Sequence, residues 1–131
     1  MIDAVYKKEL LRAWEDTYKK GQLTFWIFLA LKDSPKYVGE IRTFIENNTR
    51  GAISCEDQSL YRSLRKFYDL EMVDYSAGKG NKGPDRKYYS LTVLGAEILE
   101  EFIQRNILLL FNDDLKKLIT GGEHNDYYSG D

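Results

Sequence analysis

Three cations, Arg62, Arg65 and Lys66, lie within five residues, and four more, Lys79, Lys82, Arg86 and Lys87, follow in a stretch carrying glycines. Guanidinium and ammonium groups share one chemistry at this spacing. They hold phosphate oxygens, and they pair with O6 and N7 of guanine in a major groove. The first group also fits a plain solvated helix face; the second basic cluster beside it favours contact with a polyanion. Residues 78–87 carry four cations against Asp85, a net +3 suited to backbone or minor-groove contact, the alternative being a solvated loop. Gln58 and Ser59 share the polar side of the first group, and Tyr61 can donate to a phosphate or simply pack.

Other chemistries are poorly supplied. Gly78-Lys79-Gly80 is not a phosphate-cradling loop, because no Gly-Lys-Ser/Thr follows at the required spacing before a helix. One cysteine, Cys55, and one histidine, His124, make no zinc set and no credible Cys-His or Ser-His pair. Glu100-Glu101 and Asp113-Asp114 read as surface charges. Neither an enzyme nor a cofactor is expected. A single cysteine allows no intrachain disulfide, no signal peptide is expected, and the longest apolar run, residues 25–31, is far short of the ~20 residues of a membrane span. The expectation is a cytoplasmic protein without a membrane partner.

The elements that must position these cations centre on residues 54–92. Leu60, Leu64 and Phe67 recur at helical spacing, so the segment 57–70 reads as a helix with one apolar face. Its opposite face carries Gln58, Ser59, Arg62, Arg65, Lys66 and Asp69. Residues 72–75 and 87–91 read as two strands, with 77–85 as a loop between them. Upstream, 2–19 reads as an amphipathic helix with Ile2, Tyr6, Ala13, Trp14, Thr17 and Tyr18 near one another, ended by Gly21 as a C-cap and packed on the domain or on a partner subunit. Residues 23–32 read as a short buried helix. Ser34 and Pro35 predict the cap and first position of a helix over 35–48, with Tyr37, Ile41, Phe44 and Ile45 inward. Ala52-Ile53 suggests a short strand. The resulting order, helix, helix, helix, strand, strand, is that of a winged helix-turn-helix.

Thr92 caps a last long helix bearing two apolar stripes. Leu91, Leu94, Ile98 and Phe102 form one; Leu99, Ile103, Ile107 and Leu110 form the other. One stripe covers the helix's own domain, and the second needs another cover, since each buried Leu or Ile contributes ~1.5–3 kcal/mol. Homodimerisation through 93–111 supplies that cover; packing on the N-terminal helix of the same chain is the alternative. Asn112-Asp113-Asp114 marks a break or a cap for a final short helix, and the polar residues from Thr120 onward are expected to be disordered. Charge divides along the chain: residues 1–94 hold 16 Lys and Arg against 13 Asp and Glu, and residues 95–131 hold 3 against 8. The acidic end would sit away from nucleic acid.

Ser59-Leu60-Tyr61, Leu64, Phe67 and Met72-Val73 resemble the third helix of PadR-family winged-helix transcriptional regulators. Gly83 through Thr92, with Gly95, is similar to the second half of that family's wing and the start of its dimer helix, and Tyr37 through Ile41 to the opening of its second helix. The resemblance spans about Gln22 to Asn106. The family often has Pro where this chain has Arg62, usually has Gly where this chain has Glu71, and often carries more arginine at the wing tip. The resemblance implies a homodimer that binds double-stranded DNA, commonly as a repressor. Some branches hold a small aromatic effector at the dimer centre; the drug-binding branch uses a Trp on the last helix, where this chain has only Phe102 and Phe111.

These readings give a mainly α fold with a small β-hairpin: an N-terminal helix (1–21), a winged helix-turn-helix domain (22–91), a C-terminal dimerisation helix (92–119) and an acidic tail (120–131). Leu99, Phe102, Ile103, Ile107 and Leu110 are the dimerisation candidates. Two other functions fit the same face: a winged-helix module for an acidic protein partner, or a small-molecule sensor with weak DNA affinity.

Overall fold

The computed structural model describes residues 3–78 and 85–122. The chain divides into two compact units, Met1–Ala96 and Glu97–Asp131. In the first, helix α1 spans Ala4–Lys19 and is opened by Asp3, whose carboxylate accepts from the Tyr6 amide at 2.8 Å. Ile2, expected in this helix, lies outside the described residues. No α1 residue is buried, so its apolar stripe does not pack on the domain. Lys20 is the C-cap; Gly21, expected in that role, is left-handed at φ 81° and opens the next helix.

Helix α2 (Gln22–Asp33) buries Ile27, Phe28, Ala30 and Leu31. Helix α3 runs Val38–Asn48 and buries Val38, Ile41 and Ile45, so it starts three residues later than Ser34 and Pro35 predict. The reason lies in Lys36. Its backbone pairs both ways with Tyr89, the Lys36 amide donating to the Tyr89 carbonyl at 3.0 Å and the Tyr89 amide to the Lys36 carbonyl at 2.8 Å. Residues held in that bridge cannot also wind into a helix. Its ammonium donates to the Ala30 carbonyl (2.7 Å), Asp33 (2.8 Å) and the Ser34 hydroxyl (2.9 Å), which lets a lysine be buried.

No strand forms at Ala52-Ile53. The Thr49 hydroxyl takes the Ile53 amide at 3.1 Å and donates to Ile45, so this segment is a turn. Helix α4 (Asp57–Asp69) buries Leu60, Leu64 and Phe67, and Phe67 meets Phe28 edge to face at 5.0 Å. It ends in a Schellman motif: the Met72 amide donates to Phe67 and the Glu71 amide to Tyr68, with Glu71 left-handed at φ 63°.

Strands β1 (Val73–Gly78) and β2 (Arg86–Leu91) pair antiparallel from Val73↔Leu91 to Gly78↔Arg86. Both are longer than the sequence indicates, and Ala77 and Gly78 belong to β1 rather than to a loop. Gly78 explains part of this: a Cβ there would lie 2.4 Å from the Tyr88 ring, so the missing side chain lets that ring lie across the strand. Helix α5 (Val93–Asn106) starts with Thr92, whose hydroxyl accepts from the Gly95 amide and donates to the Glu71 carbonyl. A Cβ on Gly95 would stand 2.0 Å from the Met72 carbonyl oxygen, so only glycine fits this crossing.

The second unit holds the rest of α5, a 3₁₀ turn (Leu108–Phe111) and helix α6 (Asp113–Thr120). The C-terminal helix segment expected over 92–119 thus ends at Asn106, earlier than the break expected at Asn112, while the short helix expected over 113–119 forms as α6. Tighter bonds, Leu110 to Ile107 and Asn112 to Leu109, end α5, and the Asn112 side chain caps α6 through the Asp114 and Leu115 amides. Thr120 closes α6 instead of starting a disordered tail, and residues 123–131 lie outside the described set. Among the described residues no helix is long and apolar enough to cross a membrane.

Candidate nucleic-acid interface

With Leu60, Leu64 and Phe67 fixed in the core, α4 must turn its other residues outward. Gln58, Tyr61, Arg62, Arg65 and Lys66 are exposed, and Ser59 is half-buried. The start of α4 is tied to α3 by an ion pair between Arg42 and Asp57. Asp57 also sits in the first turn of α4, where a negative charge suits the helix dipole. The ion pair is thus a direct link between the two helices of the turn.

The hairpin carries a tyrosine cluster on each face. On one, Tyr75 lies opposite Tyr89 with ring centres 5.7 Å apart, Tyr68 of α4 adds a third ring 5.2 Å from Tyr75, and the Lys87 ammonium sits 4.6 Å above Tyr75. Burial raises the Tyr89 phenol above its ordinary pKa; Tyr61 and Tyr75 add to the rise and Arg65 opposes it. On the other face, Tyr88 meets the Tyr37 ring edge-on at 5.6 Å, and the Arg86 guanidinium lies 4.2 Å over Tyr37. The abundance of tyrosine in the sequence thus builds the hairpin and its joint to α3.

A cleft of about 540 Å³ joins these parts, lined by Tyr37, Val38, Gly39, Arg42, Asp57, Tyr61, Asp85, Arg86 and Lys87. Tyr61, Arg86 and Lys87, three of the residues expected to contact nucleic acid, therefore meet at one place. Lys79 and Lys82 lie outside the described residues. Sequence reasoning missed Tyr37 and Arg42, both upstream of the basic clusters, and took Tyr37 as an inward helix residue. It also missed Lys36, whose hydrogen bond and charge hold the Asp33 carboxyl below its ordinary pKa.

Cys55 offers no activated nucleophile: burial first, then the Glu46 charge, raises its thiol pKa, against a smaller lowering by Arg42. Among the described residues no group of His, Cys, Asp and Glu is placed to hold a metal ion.

The dimerisation candidates separate by exposure. Leu99 is buried within the chain at 2% exposure, and so is not on the surface expected of it; Ile103 and Ile107 are half-buried, while Phe102 and Leu110 are exposed. Leu94 and Ile98, on the stripe assigned to the helix's own domain, are also exposed.

Helices α2, α3 and α4, a hairpin and a basic face on α4 define a winged helix-turn-helix protein. Residues 27–101 match the family described as "Transcriptional regulator PadR-like family", more than half of the sequence, and the chain belongs to that family. It is a family of regulators, not of enzymes. Among solved structures, the fold is similar to a PadR-like transcriptional regulator from Bacillus cereus, with a TM-score of 0.63 and 25% identity, covering 82% of this chain and 99% of that one. A PadR family regulator from Eggerthella lenta matches with a TM-score of 0.65 and 20% identity over 88% of this chain and 97% of its own. Bacillus subtilis PadR, solved in complex with operator DNA, matches with a TM-score of 0.56 and 18% identity; the match covers 62% of this chain and 46% of PadR, so this chain spans less than half of that protein.

Proposed function

We propose that this chain is a sequence-specific DNA-binding regulator of transcription, working as a homodimer and a repressor. Helix α4 enters the major groove with Gln58, Ser59, Tyr61, Arg62, Arg65 and Lys66, while Lys79, Lys82, Arg86 and Lys87 of the hairpin neutralise backbone phosphates. The observation that carries this reading is the shared cleft: Tyr61 of α4 and Arg86 and Lys87 of β2 line one hollow, so α4, through the Tyr61 hydroxyl, and the basic hairpin can touch one polyanion. The operator complex of B. subtilis PadR is a precedent on the same fold.

The exposed Leu94, Ile98, Phe102, Leu110 and Phe111 support assembly through 93–111, because so many large apolar side chains are costly to leave wet. A two-fold dimer would set its half-sites about 34–36 Å apart, or multiples of that. The test has two arms. Gel shift against genomic fragments at ~100 mM salt should pick out specific fragments, since specific complexes survive there. Sedimentation at micromolar concentration should give a dimer, which Ile103→Asp disrupts by burying an unpaired charge. A monomer ends the dimer reading. Absence of any retained fragment ends the DNA reading in favour of an acidic protein partner.

A further inference from the structure

We propose that Tyr37 is a positioning residue whose ring holds Arg86 as a fixed contact for a DNA backbone phosphate. This rests on the DNA-binding reading above and adds a mechanism to it. A basic residue at the root of a loop would ordinarily sample many rotamers and contribute as a diffuse charge. Arg86 does not have that freedom. Its guanidinium lies 4.2 Å over the Tyr37 ring, and that ring is held in turn by the edge contact with Tyr88 at 5.6 Å. Tyr88 lies in space that Gly78 leaves open, since a Cβ on Gly78 would come within 2.4 Å of its ring.

The backbone of Tyr37 is equally fixed. It is the N-cap of α3, its amide donates to the Glu40 carboxylate at 3.2 Å, and its neighbour Lys36 is bridged to Tyr89. Gly78, Tyr88, Tyr37 and Arg86 form one chain of contacts from hairpin to helix, edge-on between the two rings and with the guanidinium over the Tyr37 ring. The guanidinium borders the cleft that Arg42 and Lys87 also line; among the described residues lining it the acids are Asp57 and Asp85, and Asp57 is engaged by Arg42. A planar guanidinium presented in a fixed orientation suits the paired oxygens of a phosphate diester. The same arrangement leaves the ring face as the seat that a lysine could not use in the same way.

The experiment measures binding of the full chain to a labelled mixed-sequence duplex of on the order of 30 base pairs, about three helical turns, from about 50 to 200 mM salt. A mixed sequence is sufficient because a phosphate contact is blind to bases. Arg86→Ala should weaken binding on the order of tenfold and flatten the log affinity against log salt slope by about one unit. Tyr37→Leu should weaken it to a similar degree, Tyr37→Phe should recover most of that loss, and the double variant Tyr37→Leu with Arg86→Ala should bind no worse than Arg86→Ala alone. Arg86→Lys keeps the charge and loses the guanidinium seated over the ring, so it should keep the slope and still bind more weakly; this arm decides the matter if Tyr37→Leu does not fold. Multiplying losses in the double variant, no recovery with Phe, or full affinity with Arg86→Ala or Arg86→Lys overturns the proposal. If the unsubstituted chain fails to bind the duplex at about 50 mM salt, the DNA reading itself falls, and this inference with it.

Discussion

Helices α1 and α4 are both amphipathic in sequence, and the fold treats them in opposite ways. Helix α4 hides its apolar face: Leu60 and Leu64 have no exposed surface, and what it shows is polar, charged and tyrosine side chains, Arg62, Arg65 and Lys66 among them. Helix α1 hides nothing. Trp14 is 73% exposed, and Val5, Leu10, Leu11 and Tyr18 are exposed with it. The difference teaches that an apolar stripe states only that a face needs cover, not where the cover comes from. For α4 the cover is Phe28 of α2, together with α3 and β1, all within the segment matched by the family; α1 precedes that segment.

Unfolding in urea should show the contrast at its largest. Leu64→Ala removes fully buried volume and is expected to cost about 2–5 kcal/mol, enough to threaten the fold. Trp14→Ala removes an exposed ring and is expected to change stability by less than about 0.5 kcal/mol. A loss at Trp14 approaching that at Leu64 would mean that α1 is covered in solution, and the contrast between the helices would disappear.

The outward face of α4 can be tested separately from its inward face. Arg62→Ala should leave the melting curve nearly unchanged and weaken operator binding by about 1–3 kcal/mol, with preference relaxed at one or two base positions. That effect differs in kind from Arg86→Ala, which should weaken all sequences alike. The check is affinity for operator and for scrambled duplex across several salt concentrations. Equal losses on both duplexes with Arg62→Ala would reduce the α4 face to a second phosphate contact.

Much of this architecture was legible because it is local. The spacing of Leu60, Leu64 and Phe67 gives α4, and the run from Lys87 to Leu91 gives most of β2. Thr92 and Gly95 mark the start of α5, and the fold supplies the reason in the close pass over Met72. What was not legible depends on partners distant in the chain. Lys36 is charged and next to Pro35, so the sequence reads it as a helix start; only the bridge to Tyr89 makes it a buried strand-like residue. The contact of Arg86 over Tyr37 is likewise invisible to periodicity, because it joins a helix cap to a hairpin. The break after Asn106 was hidden by the apolar run 107–111, which has helical composition while the capping strength of Asn112 starts a new helix.

The smallest expected effect concerns the joint between α4 and the hairpin. Family members usually place glycine where this chain has Glu71, and the structure gives the reason: Glu71 occupies the left-handed position of the Schellman motif, at φ 63°. A side chain in that region costs about 1–2 kcal/mol, while glycine returns about 0.4–1 kcal/mol of that through the greater freedom of the unfolded chain. Glu71→Gly should therefore stabilise the protein by up to about 1 kcal/mol. The Glu71 carbonyl accepts from the Thr92 hydroxyl through the backbone, so the substitution leaves that bond intact. Arg50 is an internal control, since it holds the same left-handed position at the end of α3, with φ 52° and the Gly51 amide donating to Glu46. Arg50→Gly should give a gain of similar size. Paired urea titrations of the two variants decide it. A loss at position 71 with a gain at position 50 would show that the Glu71 side chain makes a stabilising contact of its own, and the joint would then owe its geometry to more than the backbone.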